Sequence, residues 1–258
     1  MAGILIDVDG VLQVSGEPIA GAGEAIDRLR ANGHRLRIVT NATTRSRAQL
    51  AETLRAQGIG VGDDEVQTTA GAAVRALRGK RVLALTMQAL VADLAELELV
   101  GEGADAVLLG GADETPETNL VFSYMNLARA FAELELGARL YCLHRNRWWQ
   151  TKRGPLLDAG AFVAGLEYAA QVEAVVLGKP SAAYFDAACE ALDAEPKLTW
   201  MVGDDIEEDI AGAQRVGMRT VLVRTGKFRP DDVESSHVEP DGIVSSIAQV
   251  PEWLEAHL

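Results

Sequence analysis

This chain lacks both a cysteine framework and a long apolar segment. Its only cysteines, Cys142 and Cys189, lie far apart in sequence and outside any metal-ligand spacing, so we expect buried thiols rather than disulfides or a zinc site. No run reaches the roughly 18 apolar residues that a membrane-spanning helix needs, and no basic segment followed by an apolar stretch opens the sequence. We therefore expect a cytoplasmic protein that does not bind membranes.

Positive charge is scarce as well. Lys and Arg number 24 against 38 Asp and Glu, which gives a formal net charge of -14. Such a chain repels phosphate backbones, and no Lys/Arg run offsets the repulsion locally, so nucleic acid is excluded as a partner. An anionic substrate would need a local metal ion, a lysine or main-chain donors to bind.

What the chain does contain is an alternation of short apolar runs with helical stripes. Each run is rich in branched residues and ends at a polar cluster, as buried parallel strands do. The predicted strands are residues 3–6, 36–39, 174–177, 198–202 and 220–223. This alternation predicts an α/β fold with a doubly wound parallel sheet, whose ligand crevice lies at the carboxyl ends of the strands.

Residues 72–173 carry strand and helix signals of their own, including strands at 82–85, 106–109 and 139–143. We therefore predict a discontinuous core, residues 1–71 and 174–258, with a smaller α/β domain of residues 72–173 inserted into it.

Asp7 and Asp9 follow the first predicted strand in the sequence DVDGV. Two residues apart on an extended segment, they point the same way, and Gly10 allows a sharp turn. One carboxylate can then act as a nucleophile while the other transfers protons. A calcium loop or a helix cap explains the same letters, so the motif alone leaves these alternatives open.

Two more strand ends carry candidate phosphate-binding residues. Thr40 and Asn41 offer a hydroxyl and nearby main-chain N–H groups, although such residues also cap helices. Lys179, in GKP, can place a compact cation against a phosphoryl group, although a solvated surface lysine explains it equally well.

Five carboxyl groups fall within residues 204–209, directly after the strand predicted at 198–202. Mg²⁺ prefers hard oxygen ligands, and Asp7 with Asp204 would supply two of them, with the main-chain carbonyl of Asp9 as a third. The two glutamates suit the first turn of a helix. Asp205 and Asp209 remain open between a helix cap and a contact with a metal-bound water.

Taken in order, DVDGV at Asp7, TN at Thr40, GKP at Lys179 and GDDxxxD from Gly203 resemble the four motifs of the haloacid dehalogenase superfamily. The resemblance spans nearly the whole chain. The insertion is similar to the α/β cap of the branch that includes nitrophenyl phosphatases and phosphoglycolate phosphatases. The fold implied is a Rossmann-like core with an inserted cap.

The resemblance implies a role for each matching residue. Asp7 would be the nucleophile and Asp9 the acid/base; Asp7, Val8, Asp9, Thr40, Asn41 and Lys179 would bind phosphate; Asp7, Asp9 and Asp204 would hold Mg²⁺. Several stretches also resemble hydrolase domain-containing protein 2 and phospholysine phosphohistidine inorganic pyrophosphate phosphatase of this superfamily. Both typically have serine where this chain has Asp9, so a phospholysine or pyrophosphate substrate cannot be transferred on similarity alone.

The expected activity is Mg²⁺-dependent hydrolysis of a small phosphorylated metabolite through an aspartyl phosphate. A phosphoacceptor or binding module is the main alternative, and a phosphomutase is another. A dehalogenase needs no metal, so the acidic cluster disfavours it.

One patch in the insertion has no motif behind it. It comprises His144, Arg145, Arg147, Trp148, Trp149 and Lys152. These side chains could hold an anionic or planar leaving group. Core packing of the tryptophans with solvated cations is the interpretation we favour, and the subunit interface of a homodimer is a third.

Overall fold

The computed structural model describes residues 2–151 and 154–257. Its strands are β1 (Gly3–Asp7), β2 (Gln13–Val14), β3 (Glu17–Pro18), β4 (Arg35–Val39), β5 (Val66–Gln67), β6 (Arg81–Thr86), β7 (Glu98–Leu99), β8 (Ala106–Gly110), β9 (Arg139–Cys142), β10 (Trp148–Thr151), β11 (Gly154–Leu157), β12 (Val175–Val176), β13 (Thr199–Gly203), β14 (Arg219–Val223) and β15 (Gly242–Val244).

The α-helices are α1 (Ala22–Ala31), α2 (Arg47–Ala56), α3 (Thr69–Leu77), α4 (Pro116–Val121), α5 (Tyr124–Glu135), α6 (Gly160–Ala170), α7 (Ala182–Ala191), α8 (Gly212–Arg215), α9 (Pro230–Ser236) and α10 (Val250–His257). A π-helical segment, Ile206–Ala211, leads directly into α8. Short 3₁₀ turns occur at Asp63–Glu65, Gln88–Leu90, Pro196–Leu198 and Ile247–Gln249.

The chain divides into two compact units. The first, the core unit, contains the chain up to Thr40, Arg47–Gln67 and the chain from Lys179 onward; the second, the inserted unit, contains Asn41–Ser46 and Thr68–Gly178. These limits differ from the expected ones at 71/72 and 173/174. Helix α3 begins at Thr69, capped by the Thr68 hydroxyl, so a boundary at 71/72 would cut through its first turn.

The core unit is built on one six-stranded sheet in the order β15-β14-β13-β1-β4-β5. Every neighbouring pair is parallel, and β1, fully buried, lies at the centre. Because β1 is followed by β4 on one side and the chain later returns to β13 on the other, the strand order reverses beside β1. The predicted doubly wound fold class is confirmed, and the strand order reverses between β1 and β13, whose carboxyl ends are where folds of this class bind ligands.

Apolar clusters cover both faces of this sheet. Ile4 and Ile6 belong to a large apolar cluster with α1, α2 and α10, in which Trp200 and Ile26 are also buried. On β14, Leu222 joins a separate cluster with Ile206 and Ile210. Burial on both faces explains why the central strands are continuous apolar runs.

The inserted unit has a parallel five-stranded sheet in the order β12-β9-β8-β6-β7 and an antiparallel hairpin, β10-β11. Strand β12 corrects one expectation. The apolar run at 174–177 was predicted to extend the core sheet, but Val175 and Val176 pair with β9. A short apolar run does not encode which of two parallel sheets it joins, so only its chain position had favoured the core.

Both cysteines are buried free thiols, as expected. Burial raises the pKa of Cys142 to about 12, so at neutral pH this thiol stays protonated and packs as a small apolar side chain. No helix in residues 2–151 and 154–257 is long and apolar enough to cross a membrane.

Candidate active site

Asp7 is the last residue of β1 and stands where the buried strand meets the polar edge of the core sheet. After it the chain turns tightly, with the Val8 carbonyl accepting hydrogen bonds from the N–H groups of Leu12 and Gln13 at 2.9 and 3.1 Å. Asp7 is only 6% exposed, whereas Asp9 is exposed. The turn therefore gives two nearby carboxylates different environments, one buried and one open to solvent.

Lys179 lies between two aspartates of the core unit. Its Nζ is 2.6 Å from Asp7 Oδ1 and 2.6 Å from Asp209 Oδ1, and its side chain is 3% exposed. Burial alone would lower the pKa of Lys179, but the carboxylates of Asp209 and Asp7 raise it well above its usual value. The ammonium group therefore carries a permanent positive charge at the end of β1.

The aspartates of the acidic segment after β13 make different contacts. The Asp205 carboxylate accepts the N–H groups of Glu207 and Glu208 at 3.0 Å, so it caps the π-helical segment. Asp209 Oδ2 accepts the N–H groups of Asp204 and Asp205 at 3.2 and 3.3 Å. Asp204 itself is buried beside Asp7. Asp209 thus fixes both the lysine and the main chain that carries Asp204.

Three buried carboxylates crowd this edge: oxygens of Asp7, Asp204 and Asp209 lie within 4.8 Å of one another. Burial raises the pKa of Asp204 well above its usual range, and the neighbouring charges of Asp7 and Asp209 raise it further. Burial likewise raises the pKa of Asp7, opposed by Lys179, and that of Asp209 to about 6. One lysine does not balance three acids, so the site favours an additional cation.

A divalent metal ion fits this cluster. Hard carboxylate oxygens are the ligands that Mg²⁺ and Ca²⁺ take in proteins. Both oxygens of Asp209 are already engaged, one by Lys179 and the other by main-chain N–H groups. Asp7 and Asp204 are therefore the better side-chain ligands of the three.

The loop after β14 supplies a part of the site that the sequence had not indicated. The main-chain N–H of Lys227 donates to Asp204 Oδ2 at 2.6 Å, and Lys227 Nζ lies 3.2 Å from Asp205 Oδ2. Gly226 has a φ of 62°, and a Cβ on it would stand 2.0 Å from Asp204 Oδ2. Gly226 and Lys227 follow β14, a strand of the core sheet. They could therefore have been predicted as the other residues were, from their position after the carboxyl end of a parallel strand.

Comparisons with known proteins identify the family. A model of the haloacid dehalogenase-like hydrolases matches residues 4–100, and one described as HAD-hydrolase-like matches residues 176–250. Phospholysine phosphohistidine inorganic pyrophosphate phosphatase from Bos taurus is 37% identical over 99% of this chain and 94% of its own length. The chain belongs to the haloacid dehalogenase-like hydrolase family.

Two further relatives extend the comparison. Haloacid dehalogenase-like hydrolase domain-containing protein 2 from Bos taurus is 35% identical over 99% of this chain and 96% of its own length. The solved structure of a p-nitrophenyl phosphatase from Archaeoglobus fulgidus is 28% identical, with a TM-score of 0.89 and 98% of each chain covered. The expected family, and the expectation of an enzyme of phosphohydrolase type, are confirmed.

Thr40 directly follows Val39, which pairs with Asp7 across the sheet. Its main chain is held by Tyr184, a fully buried residue of α7: the Thr40 N–H donates to the phenol oxygen at 3.0 Å. The Tyr184 hydroxyl also lies 3.0 Å from the Thr40 carbonyl and 2.9 Å from the Gln67 carbonyl, to one of which it donates. Tyr184 therefore anchors the chain at the predicted phosphate-binding position. Asn41, the next residue, belongs to the inserted unit.

We expect Tyr184→Phe to lower the free energy of unfolding by about 1–3 kcal/mol, because the buried Thr40 N–H and one of the two carbonyls each lose a hydrogen bond to the phenol group. Urea denaturation measures this loss. Tyr168→Phe is the matched control, since Tyr168 is 88% exposed, and it should change stability by less than about 0.5 kcal/mol. Equal effects of the two variants would contradict an anchoring role.

The patch predicted in the inserted unit has a structural explanation for its first two members. His144 is 2% exposed, with Nε2 3.1 Å from Thr43 Oγ1 and 3.8 Å from Asp158 Oδ1. Arg145 pairs with Glu167 at 2.6 Å. Trp148 is 44% exposed, so its expected core packing is wrong: the β10-β11 hairpin keeps it at the surface. Lys152 lies outside the described residues.

Proposed function

We propose that this protein is a Mg²⁺-dependent phosphatase that hydrolyses small phosphomonoesters through a phosphoryl group carried on Asp7. The observation that carries the proposal is the arrangement at the end of β1, where buried Asp7 is 2.6 Å from Lys179 and within 4.8 Å of the Asp204 and Asp209 carboxylates. A fixed cation and a set of metal ligands thus surround the carboxylate that would act as the nucleophile.

In the first step an oxygen of Asp7 attacks phosphorus, and the bond from phosphorus to the leaving oxygen breaks. Asp9, protonated, gives its proton to that oxygen. Lys179 offsets the negative charge that builds up between Asp7 and the phosphoryl group. The Thr40 hydroxyl and the main-chain N–H groups of Val8 and Asp9 are donors for the phosphoryl oxygens.

In the second step water attacks phosphorus, the bond to Asp7 breaks, and Asp9 accepts a proton from the water. Asp7, Asp204 and the Asp9 carbonyl would hold Mg²⁺, and the bound ion would supply charge that offsets repulsion between the carboxylate and the phosphoryl group. Ester and water are thereby converted to alcohol and phosphate, with Asp7 and Asp9 restored.

The proposed contacts of the core unit are all with the phosphoryl group, so the substrate class is defined by that group. The relatives' names include a p-nitrophenyl phosphatase and a phospholysine, phosphohistidine and pyrophosphate phosphatase, so we place phosphoamides and pyrophosphate beside phosphomonoesters as substrates to test. Because Asp9 can protonate a poor leaving group, we expect alkyl phosphates to be accepted.

Phosphate release from a panel of alkyl and aryl phosphates, a phosphoamide and pyrophosphate tests the proposal. We expect turnover with Mg²⁺, at least about 100-fold less after EDTA treatment, and recovery when Mg²⁺ is restored. Asp7→Asn should abolish release, while Asp193→Asn, at an exposed surface position, should leave it unchanged. Release that persists in Asp7→Asn, or no release from any compound, would refute a phosphatase that acts through Asp7.

A further inference from the structure

Asp9, Gln13 and Gln57 form a hydrogen-bonded line within the core unit. Gln13 Nε2 donates to Asp9 Oδ1 at 2.9 Å. Gln57 Nε2 donates to Gln13 Oε1 at 3.2 Å and to the Gly16 carbonyl at 2.8 Å. Gln13 is 4% exposed, although Asp9 is exposed. A buried amide therefore holds one oxygen of the solvent-facing carboxylate.

The direction of this line is set at its far end. The Gly16 carbonyl can only accept, so the amide nitrogen of Gln57 must face it, and the second hydrogen of that nitrogen is left for Gln13 Oε1. Gln13 then presents its own nitrogen to Asp9. Turning either amide around would bring two acceptors face to face, so the network fixes the orientation of both side chains.

This orientation leaves a polar atom unsatisfied. Gln57 Oε1 is buried, and no donor among the described residues reaches it. Unpaired buried acceptors cost stability. The unsatisfied acceptor accompanies an arrangement that keeps an N–H donor directed at Asp9. Functional sites are where proteins break the rule that buried polar atoms are hydrogen-bonded.

We propose that Gln13 is a positioning residue for proton transfer: it holds Asp9 Oδ1, so that Oδ2 is the oxygen that gives and takes the proton, and Gln57 fixes Gln13. The inference rests on the proposed function of Asp9. Oδ1 accepts the Gln13 hydrogen bond both when Asp9 is ionised and when Oδ2 carries the proton. The same geometry therefore serves both steps.

In the first step Oδ2–H loses its proton to the leaving oxygen as the bond to phosphorus breaks. In the second, Oδ2 takes a proton from the attacking water. The amide of Gln13 gains and loses nothing in either step, so its contribution is geometric. It should matter most where the leaving group needs a proton, as an alkoxide does and a nitrophenolate does not.

Gln13→Met tests this, since methionine keeps the length of the side chain but has no N–H to donate. For alkyl phosphates we expect kcat/KM to fall by about 10- to 100-fold, part of the roughly 10²–10⁴-fold that general acid catalysis contributes. For p-nitrophenyl phosphate the fall should be less than about 3-fold, because the leaving group needs no proton. Gln57→Met should shift the ratio of the two rates in the same direction, by less. Gln49→Met, at an exposed position of α2, is the matched control.

The Asp9→Asn background distinguishes positioning from packing. There the alkyl-to-aryl ratio should already be low, and adding Gln13→Met should not lower it further. An equal loss on both esters in Gln13→Met, or no loss on either, would overturn the proposal. These outcomes differ from failure of the proposed function itself, in which Asp7→Asn would still release phosphate from p-nitrophenyl phosphate.

Discussion

Lys179→Met is expected to lower phosphate release by about 100- to 1000-fold, the loss typical of removing one preorganised electrostatic group from an active site. The Lys179 ammonium lies 2.6 Å from both Asp7 and Asp209, and at 3% exposure water cannot replace it. Without the lysine, Asp7, the proposed nucleophile, faces another carboxylate and an incoming phosphoryl group with no fixed cation between them.

The same substitution should reduce the free energy of unfolding by about 3–5 kcal/mol, because removal of one partner leaves uncompensated buried charge. Lys197→Met is the control: Lys197 also pairs with a carboxylate, Glu195, but is 73% exposed, so we expect no measurable loss of stability. Lys179→Arg keeps the charge in a larger planar group and should restore activity only in part. Parental turnover in Lys179→Met would show that the lysine has no electrostatic role.

Gly226→Ala should lower the turnover rate about 100-fold, although the added methyl group does not contact the substrate. The added Cβ would stand 2.0 Å from Asp204 Oδ2 and 2.4 Å from the Gly10 Cα. Either Asp204 or the loop must move, and the 2.6 Å hydrogen bond from the Lys227 N–H to Asp204 would be lost. Displacements of about 1 Å at a catalytic group cost roughly 100-fold.

Gly217→Ala separates this contact from backbone strain. Gly217 has a φ of 84°, in the same left-handed region, and no atom lies within 4 Å of the position that an added methyl group would take. Both variants should lose about 1–2 kcal/mol of stability from strain, but only Gly226→Ala should lose turnover and need more Mg²⁺ for half-maximal activity. Equal kinetics in the two variants would contradict the packing of Gly226 against Asp204.

The sequence predicted the core sheet because each central strand is buried on both faces and ends abruptly at a polar residue. Asp7 and Asp204 could be placed together for the same reason, since parallel strands bring their carboxyl ends to one edge. Lys179 was also expected beside Asp7, but it does not follow a strand of the core sheet. The strand before it, β12, belongs to the sheet of the inserted unit. Lys179 nevertheless lies beside Asp7 because the chain returns to the core unit at that residue.

Other features depended on contacts that the sequence pattern does not encode. Asp205 and Asp209 have the same side chain four residues apart, and only the π-helical segment determines that one caps it while the other binds Lys179. Hydrogen bonds through Gln13 link Gln57, which follows α2, to Asp9 in the turn after β1. Residues so far apart in sequence form no local pattern from which this contact could be predicted. Gly226 and Lys227 were missed because a Gly-Lys pair after a strand is common in loops.

The central claim is that Asp7 carries the phosphoryl group, and acid quenching during turnover tests it most directly. Peptide mass spectrometry of the quenched protein should find a phosphoryl group on Asp7 while substrate remains, none after substrate is exhausted, and none in Asp7→Asn. A phosphoryl group that persists without release would indicate a phosphoacceptor, and its return to substrate would indicate a mutase. Full phosphate release with Asp7 unmodified at every time point would contradict the account.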